Sequence, residues 1–304
     1  MVNRYDYEGT VWIDMESPTT AEIDELNREF FIGPLLSKEL LGPTFKPHVD
    51  LYQNFAYAVL HFPALRHTHG KTVAQEVDMI IGKNFLITVH YEPVTALIEF
   101  ARFFEVASLL AHTEGKLHSG YILFEIVERL YRGVEKEIEA VSDTLTDIEG
   151  KIFSGHEREM VTALSGVSKE LMLQKRTLGT HRETLESLEH AGVTLFGEEF
   201  RNYLRGLSAL HFRLYNRVVG FIDTMNELRN TNDSLLSTRQ NEIMRKLTII
   251  SFITFPLTSI AALFQMNTVY TPIIGMPHDF WVIASIMALV VGSFFAYFKG
   301  KKWL

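Results

Sequence analysis

Two long apolar stretches stand at the carboxyl end of the chain. No Asp, Glu, Lys or Arg occurs between Leu247 and His278, and the 19 residues from Phe280 to Phe298 are also uncharged. Each stretch is long enough for a helix that crosses the hydrocarbon core of a bilayer. The pattern predicts a transmembrane hairpin over residues 241–304, with spans at about 247–266 and 280–298.

Shorter apolar runs, rich in β-branched and aromatic residues, lie before residue 94. They read VWIDM (11–15), FAYAVLHF (55–62) and VDMIIGKNFLITVHY (77–91). Such runs are typical of strands, and the last one turns at Gly82-Lys83-Asn84. A helix is expected to begin at Thr19 or Thr20, with Glu22 as its capping partner. We therefore predict an α/β domain over residues 1–95.

A helical region is predicted over residues 96–240, because the 162 residues between Pro93 and Pro256 contain no proline. Its first part, from about Gly120 to Glu149, is acidic with few opposing cations, and we expect a solvated face there. Its last part carries a coiled-coil-like seam at steps of three and four residues. The seam residues are Phe200, Leu204, Leu207, His211, Leu214, Val218, Phe221, Met225 and Leu228.

No helix breaker separates this seam from the first span, so residues 200–264 are predicted to form one helix of roughly 100 Å. Within the span, Leu247, Ser251, Phe255, Thr258 and Ala262 follow at steps of 4, 4, 3 and 4, which places them on one helical face. By pattern alone, packing between helices is the favoured interpretation. The alternative is a pore lining, in which apolar rings close by dewetting and hydroxyls contact a hydrated ion. A pair of spans cannot enclose an aqueous path, so that alternative requires an oligomer.

Composition and charge narrow the functional classes. The mean hydropathy of +0.06 is the average over two unlike parts of the chain. Residues 1–240 are acidic, with a net charge of −11, and the apolar hairpin after them has a net charge of +3. The acidic balance argues against nucleic acid as a partner. The absence of cysteine excludes thiolate metal sites and disulfides. No phosphate-binding glycine loop, Gly-x-Ser-x-Gly elbow or His-Glu-x-x-His helix is present, so neither an enzyme nor a bound cofactor is expected.

Orientation in the membrane follows from the cations. Arg245 and Lys246 precede the first span, Lys299, Lys301 and Lys302 follow the second, and the connecting loop has no Lys or Arg. The positive-inside rule then places both termini in the cytoplasm. The amino-terminal residues contain no apolar run that would serve as a signal peptide. We expect a multi-pass protein of the inner (plasma) membrane, with the bilayer as one partner.

The segment TRQNEIMRKLTIISFITFPLTSIAALFQMN (238–267), followed by MPHDFW (276–281) and a lysine-rich end, resembles the CorA family of divalent-cation channels, the two-transmembrane GxN type. Trp12-Ile13-Asp14 and Lys46-Pro47 are similar to that family's cytoplasmic α/β domain. The resemblance covers the whole chain. It implies a funnel-shaped homopentamer with long stalk helices and a pore that passes Mg²⁺ or a related ion down its electrochemical gradient. It also suggests that the acidic helix senses internal divalent ions.

The resemblance assigns roles to individual residues. The family's Gly-Met-Asn signature corresponds here to Gln265, Met266 and Asn267, so the asparagine matches and the glycine does not. Five copies of the asparagine would form an outer ring for the hydrated cation, which suits Mg²⁺ because that ion dehydrates reluctantly. The resemblance further implies an inner polar ring, an apolar gate, a second constriction and a mid-membrane polar ring, respectively at Asn241, Leu247, Phe255 and Thr258.

Two alternatives to a magnesium channel stay open. One is zinc efflux or proton-coupled zinc uptake, of the type known in a branch of the same family. The other is a membrane scaffold or sensor that keeps the pentamer while Gln265 blocks the filter.

The histidines raise the question of a metal site. His67-x-His69 has no third ligand nearby in the sequence, and alternation places the pair on a strand or in a hairpin loop, so a solvated loop is favoured over zinc. His211 is expected to be a partly buried residue of the seam. His278 is predicted to lie in the external loop, with a solvated residue favoured over a role in zinc or proton coupling.

Overall fold

The computed structural model describes residues 1–7, 9–70, 74–110, 118–266, 273–275 and 277–301. The chain divides into two compact units, Met1–Arg229 and Asn230–Leu304. The division into three segments at residues 95 and 240 stays a prediction of the sequence pattern.

A six-stranded sheet is formed by the described residues of the first unit. The strands are β1 (Val2–Tyr7), β2 (Thr10–Glu16), β3 (His48–Leu51), β4 (Phe55–Phe62), β5 (Gln75–Gly82) and β6 (Phe85–His90). They lie in the order β1-β2-β6-β5-β4-β3; β2 and β6 are parallel, and every other neighbouring pair is antiparallel. The predicted α/β fold is confirmed, while the two edge strands, β1 and β3, were not predicted.

The centre of the sheet explains two of the sequence motifs. The Trp12 indole Nε1 donates to Thr88 Oγ1 at 3.1 Å, and that hydroxyl donates to Asp14 Oδ1 at 2.6 Å, so Trp12 and Asp14 join β2 to β6. The β5–β6 hairpin turns where predicted. A Cβ at Gly82 would lie 2.1 Å from the Phe85 ring, so any other residue here would force that ring to move.

Nine helices occur in the described parts of the chain. The first two, between β2 and β3, are α1 (Thr20–Phe30) and α2 (Pro34–Glu39), and α1 begins with the predicted capping box between Thr19 and Glu22. Next come α3 (Arg66–His69), α4 (Thr95–Leu110), α5 (Ser119–Phe153), α6 (Glu157–Gly179) and α7 (His181–Phe196). The last two are α8 (Arg201–Phe264) and α9 (Asp279–Gly300).

The seam on α8 is buried in the first unit, with one correction. Leu207, Leu214 and Val218 are at most 1% exposed, but Ile222 is buried where Phe221 was predicted. The shift by one residue arises because an α-helix has 3.6 residues per turn, so a strict seven-residue repeat drifts off a straight helical face. His211 is buried as expected, with Nε2 2.8 Å from the Leu178 carbonyl.

A buried histidine network joins the helices to the sheet. His181 is fully buried, with Nε2 2.5 Å from the His61 carbonyl and Nδ1 2.7 Å from the Tyr131 hydroxyl. A carbonyl only accepts, so Nε2 carries the proton and Nδ1 accepts from Tyr131. Burial lowers the pKa of His181 to about 4, since the charged ring would lose its hydration.

This network predicts acid destabilisation of the first unit. The folded-state pKa of His181 lies below the usual value of about 6.5, so the neutral ring stabilises the fold above that pH, and the contribution is lost as the pH falls towards 4. The shift corresponds to about 3 kcal/mol. Unfolding of His181→Gln, measured from pH 7.5 to 4, should depend less on pH than unfolding of the wild type. His48→Gln, on the surface, should retain the wild-type slope; equal slopes for all three proteins would contradict the assignment.

The second unit contains the end of α8 and α9. Both helices carry stretches long and apolar enough to cross a membrane, and these stretches are almost wholly unburied, unlike the core helices of soluble proteins. Pro256 lies within α8 and removes one backbone donor, so the Phe252 carbonyl has no helical N–H four residues on. α8 nevertheless continues from Arg201 to Phe264, as the absence of an earlier breaker predicted.

Candidate functional site

One face of α8 within its apolar segment stays uncovered in the single chain. Leu247, Ser251, Phe255, Thr258 and Ala262 are all exposed, with Leu247 at 53% and Phe255 at 74%. We call these five residues the stripe. Large apolar side chains exposed in a row indicate contact with lipid, with other copies of the chain or with a pore.

The opposite face of α8 is less exposed. Its residues at steps of 4, 3, 4 and 4 are buried or half-buried: Ile249, Ile253, Pro256, Ile260 and Phe264. Nearby, the Phe252 ring lies 6.5 Å from that of Phe294 and 6.1 Å from that of Phe298, both on α9. The second apolar helix therefore packs on the side away from the stripe. The sequence pattern favoured packing between helices as the reason for the stripe. Packing against α9 is not that reason, because α9 lies on another side of α8.

The stripe combines apolar and hydroxyl groups. The Thr258 hydroxyl donates to the carbonyls of Thr254 at 3.0 Å and Phe255 at 2.9 Å. Its oxygen lone pairs face away from those carbonyls and can accept hydrogen bonds from the water around a cation. Phe255 and Leu247 offer rings of apolar surface one or more turns away. The chemistry of this face suits the passage of a hydrated ion, with apolar narrowings between polar positions.

The two ends of the apolar segment differ in character. At the inner end, Asn241 is exposed on α8, and the exposed cations Arg245 and Lys246 follow it. At the outer end, the Gln265 N–H donates to the Ala261 carbonyl at 3.1 Å, and the Met266 N–H to the Leu263 carbonyl at 3.3 Å, so these residues close the last turn. Met266 is 55% exposed. Asn267, Met276 and Lys302 lie outside the described residues.

α9 begins with a carboxylate cap. Asp279 accepts hydrogen bonds from the backbone N–H groups of Gly275 at 3.2 Å and Phe280 at 2.7 Å. A carboxylate at this position also interacts favourably with the helix dipole. His278 precedes the helix with φ 80°, in the left-handed region. Its side chain accepts no hydrogen bond from the helix N–H groups, so Asp279 holds the start of the second span.

The acidic helix α5 is more compensated than predicted. Glu125, Glu128 and Asp147 each pair with a cation four residues further along, respectively Arg129, Arg132 and Lys151. Such exposed pairs contribute little to stability, but they reduce the local negative potential. The solvated face is also incomplete, because Glu137 is fully buried.

The histidine pair departs from its prediction. His67 lies in the one-turn helix α3, not in a strand or hairpin loop, and the side chain of His69 is outside the described residues. No third ligand lies near His67 in the sequence, but in the fold Glu137 and Glu170 place ligand atoms within 4.8 Å of its own and of each other. Gaps of 70 and 33 residues separate the three along the chain, so no local spacing could reveal them.

Comparison with known proteins gives consistent matches over nearly the whole chain. A family model described as CorA-like Mg²⁺ transporter protein matches residues 7–301. The cobalt/magnesium transport protein CorA of Thermotoga maritima is 25% identical over 306 residues, covering 98% of this chain and 85% of that protein. The protein of the same name from Methanocaldococcus jannaschii is 22% identical over 296 residues, covering 97% and 91%.

A solved structure shows the same fold. The complete CorA magnesium transporter from Methanocaldococcus jannaschii matches with a TM-score of 0.83 and 20% identity, over 97% of this chain and 92% of that one. The sheet-containing amino-terminal part, the long helix and the two carboxy-terminal apolar helices therefore form one known architecture, and the predicted fold class is confirmed.

Proposed function

The chain belongs to the CorA-like Mg²⁺ transporter family, and from this premise we propose that it is a membrane channel for divalent cations, with Mg²⁺ as its main cargo. The observation that carries the proposal is the two-faced first span: α9 packs on one face, and the stripe on the other is left for a pore. Its relatives in Thermotoga maritima and Methanocaldococcus jannaschii are named cobalt/magnesium transport proteins. The protein is a transporter and not an enzyme.

The pore is formed by several copies of the chain. A single α8–α9 pair cannot surround water, and unsatisfied backbone and cations are both costly in lipid, so the stripe must face copies of itself around an axis. We propose five copies. In that assembly Leu247 and Phe255 form two apolar rings, and Ser251 and Thr258 form hydroxyl rings. Ala262 leaves a wider path beyond Thr258, towards the outer end, and Asn241 lines the inner mouth.

Flux is passive and driven by the ion gradient and the membrane potential. A divalent cation gains about 4.6 kcal/mol on crossing 100 mV inward, twice the value for one charge. Both termini and the acidic part lie in the cytoplasm of a cell bounded by an inner (plasma) membrane. The acidic part, residues 1–240, has a net charge of −11 in each subunit. This charge raises the local concentration of cations at the inner mouth of the pore.

The outer filter is formed by Asn267 with Gln265 and Met266. Amide oxygens in a ring hold Mg²⁺ through its water shell, which avoids the cost of dehydrating that ion. Gln265 stands where the family resemblance implies glycine, so its amide also faces the entrance. The replacement of this glycine by Gln265 changes which ions enter most readily, while Asn267 keeps its place in the filter.

Flux into liposomes tests the proposal. Purified protein should carry Mg²⁺ and Co²⁺ into sealed vesicles at a rate that increases with an inside-negative potential. The absence of flux for Mg²⁺, Co²⁺, Ni²⁺ and Zn²⁺ alike, with an intact oligomer, would instead identify a scaffold or sensor. Flux of Zn²⁺ alone that follows a proton gradient would identify a zinc transporter.

Gln265→Gly should raise Mg²⁺ flux several-fold. Removal of the side chain exposes backbone carbonyls to the ion, and glycine is well tolerated directly after a helix, so the fold should not suffer. Stopped-flow Mg²⁺ uptake compares the two proteins, with Gln265→Asn as the control that keeps an amide. If Gln265→Gly and Gln265→Asn changed uptake equally, the size of the side chain at this position would not control entry.

A further inference from the structure

We propose that His67, Glu137 and Glu170 form a binding site for one transition-metal dication, such as Zn²⁺, Co²⁺ or Ni²⁺, within each subunit and apart from the pore. The three residues lie on different helices, α3, α5 and α6, and their ligand atoms all lie within 4.8 Å of one another. Neither the stripe nor the filter contributes to this cluster, and the inference does not depend on the transport function.

Hydrogen bonds already hold the three side chains together. The backbone N–H of His67 donates to Glu137 Oε1 at 2.8 Å, which fixes that carboxylate against the turn of α3. His67 Nε2 lies 3.2 Å from Glu170 Oε2 and 3.0 Å from Glu170 Oε1. The imidazole is therefore aimed at Glu170, with the Glu137 carboxylate held beside it by the backbone of His67. Modest side-chain rotations would bring all three ligands to about 2.0–2.2 Å from a common metal.

Burial makes the cluster unlike an ordinary surface ion pair. Glu137 is fully buried, and Glu170 is only 9% exposed. Two carboxylates close together in such surroundings are costly unless positive charge compensates them. A dication bound between the two carboxylates would supply two positive charges.

Several buried polar atoms in and near the cluster lack hydrogen-bond partners in the described structure. Within the described part of the chain, Glu170 Oε1 is buried and has no hydrogen-bond partner, since its 3.0 Å approach to His67 is poorly directed. One turn further along the same face of α6, Gln174 is 1% exposed, and neither its amide oxygen nor its nitrogen has a partner there. Buried polar groups normally find partners, so these atoms indicate room for a ligand or for the water that accompanies a metal.

The donor set selects the class of metal. An imidazole nitrogen with two carboxylates is a familiar ligand set for Zn²⁺ and neighbouring transition ions, whereas Mg²⁺ prefers oxygen ligands and keeps its waters. The side chain of His67 is 33% exposed, so the ion can enter from solvent and retain a water as its fourth ligand. Occupation would tie α3, α5 and α6 together and stabilise the first unit.

Binding of Co²⁺ to the full-length purified protein in detergent tests the proposal. Equilibrium dialysis in excess Mg²⁺, with the visible absorption of Co²⁺ as a second readout, should show one more tight Co²⁺ per chain in the wild type than in His67→Gln or Glu170→Gln. Each substitution should weaken this site by at least about ten-fold. His48→Gln is the matched control, because the His48 side chain is 34% exposed and lies 3.6 Å from Asp50, yet within the described part of the chain it belongs to no cluster of three ligands.

Three results would overturn the proposal. The first is equal Co²⁺ binding by the wild type, His67→Gln and Glu170→Gln. The second is an equal loss in His48→Gln, which would indicate general surface binding. The third is displacement of the Co²⁺ by excess Mg²⁺. Circular dichroism of each variant without metal verifies that the fold is kept, and all variants share an unaltered pore, so binding there cancels in the comparison.

Discussion

Asn267→Ala should reduce Mg²⁺ flux into liposomes by at least about a hundred-fold. The substitution removes one amide from every subunit, so the proposed five-fold filter would lose five carboxamide groups at once. At about 1 kcal/mol for each hydrogen bond to the hydrated ion, five bonds amount to roughly 5 kcal/mol if they are additive, more than the roughly 2.7 kcal/mol that corresponds to this factor. The measurement is initial Mg²⁺ uptake under an inside-negative potential, normalised to the amount of oligomer in the vesicles.

Two variants separate the filter from general damage. Asn226→Ala makes the same change at an exposed position of α8 before the apolar segment, and its flux should equal that of the wild type. Asn267→Gln retains the amide on a longer stem and should keep a measurable part of the flux. Wild-type flux in Asn267→Ala would remove this residue from the filter and with it the main chemical basis for Mg²⁺ selection.

Local chemistry explains the parts of the fold that were predictable. The capping box at Thr19 and Glu22 and the turn at Gly82 are decided by residues within a few positions of one another. The long apolar stretches were equally clear, because solvation in lipid imposes a length and a composition on any span. The edge strands were not predicted because their sequences lack such a clear local signal. β3 has only four residues, two half-buried and two exposed, so its sequence carries no strong alternation.

The candidate site was predictable only in part. Periodicity placed the stripe on one face of a helix, but it could not show which face would be covered. That information lies in the contacts between Phe252 on α8 and Phe294 and Phe298 on α9. The roles of the stripe residues in a pore stay predictions. The cluster of His67, Glu137 and Glu170 was beyond sequence reasoning, because tertiary packing alone brings its members together.

The two faces of α8 also bear on how the channel closes. A conformational signal from the cytoplasmic part has a continuous helix to act on, since α8 has no break between Arg201 and Phe264. Rotation or tilting of that helix would move Leu247 towards or away from the axis while α9 keeps its contacts on the far face. A narrow apolar ring is a suitable barrier, because water leaves it before the side chains touch.

Leu247→Ser should therefore produce a channel that fails to close. Serine shortens the side chain and provides a hydroxyl in each subunit, which lets water and a hydrated cation remain in the ring. A fall of only about 1.4 kcal/mol in the barrier corresponds to ten-fold more flux. We expect at least this increase in Mg²⁺ current over the wild type, compared at the internal Mg²⁺ concentration that gives the smallest wild-type current. Single-channel or whole-membrane current at graded internal Mg²⁺ is the measurement.

Leu263→Ser is the matched control, because Leu263 lies on the same helix, is also exposed at 64% and stands off the stripe. It makes the identical chemical change, so a current increase in both variants would reflect loosening of the helix and not a gate at Leu247. Wild-type closure of Leu247→Ser would move the gate elsewhere on the stripe, with Phe255 as the next ring to test. An increase confined to Leu247→Ser would place the barrier at the inner end of the span, where movement of the cytoplasmic part of α8 reaches it first.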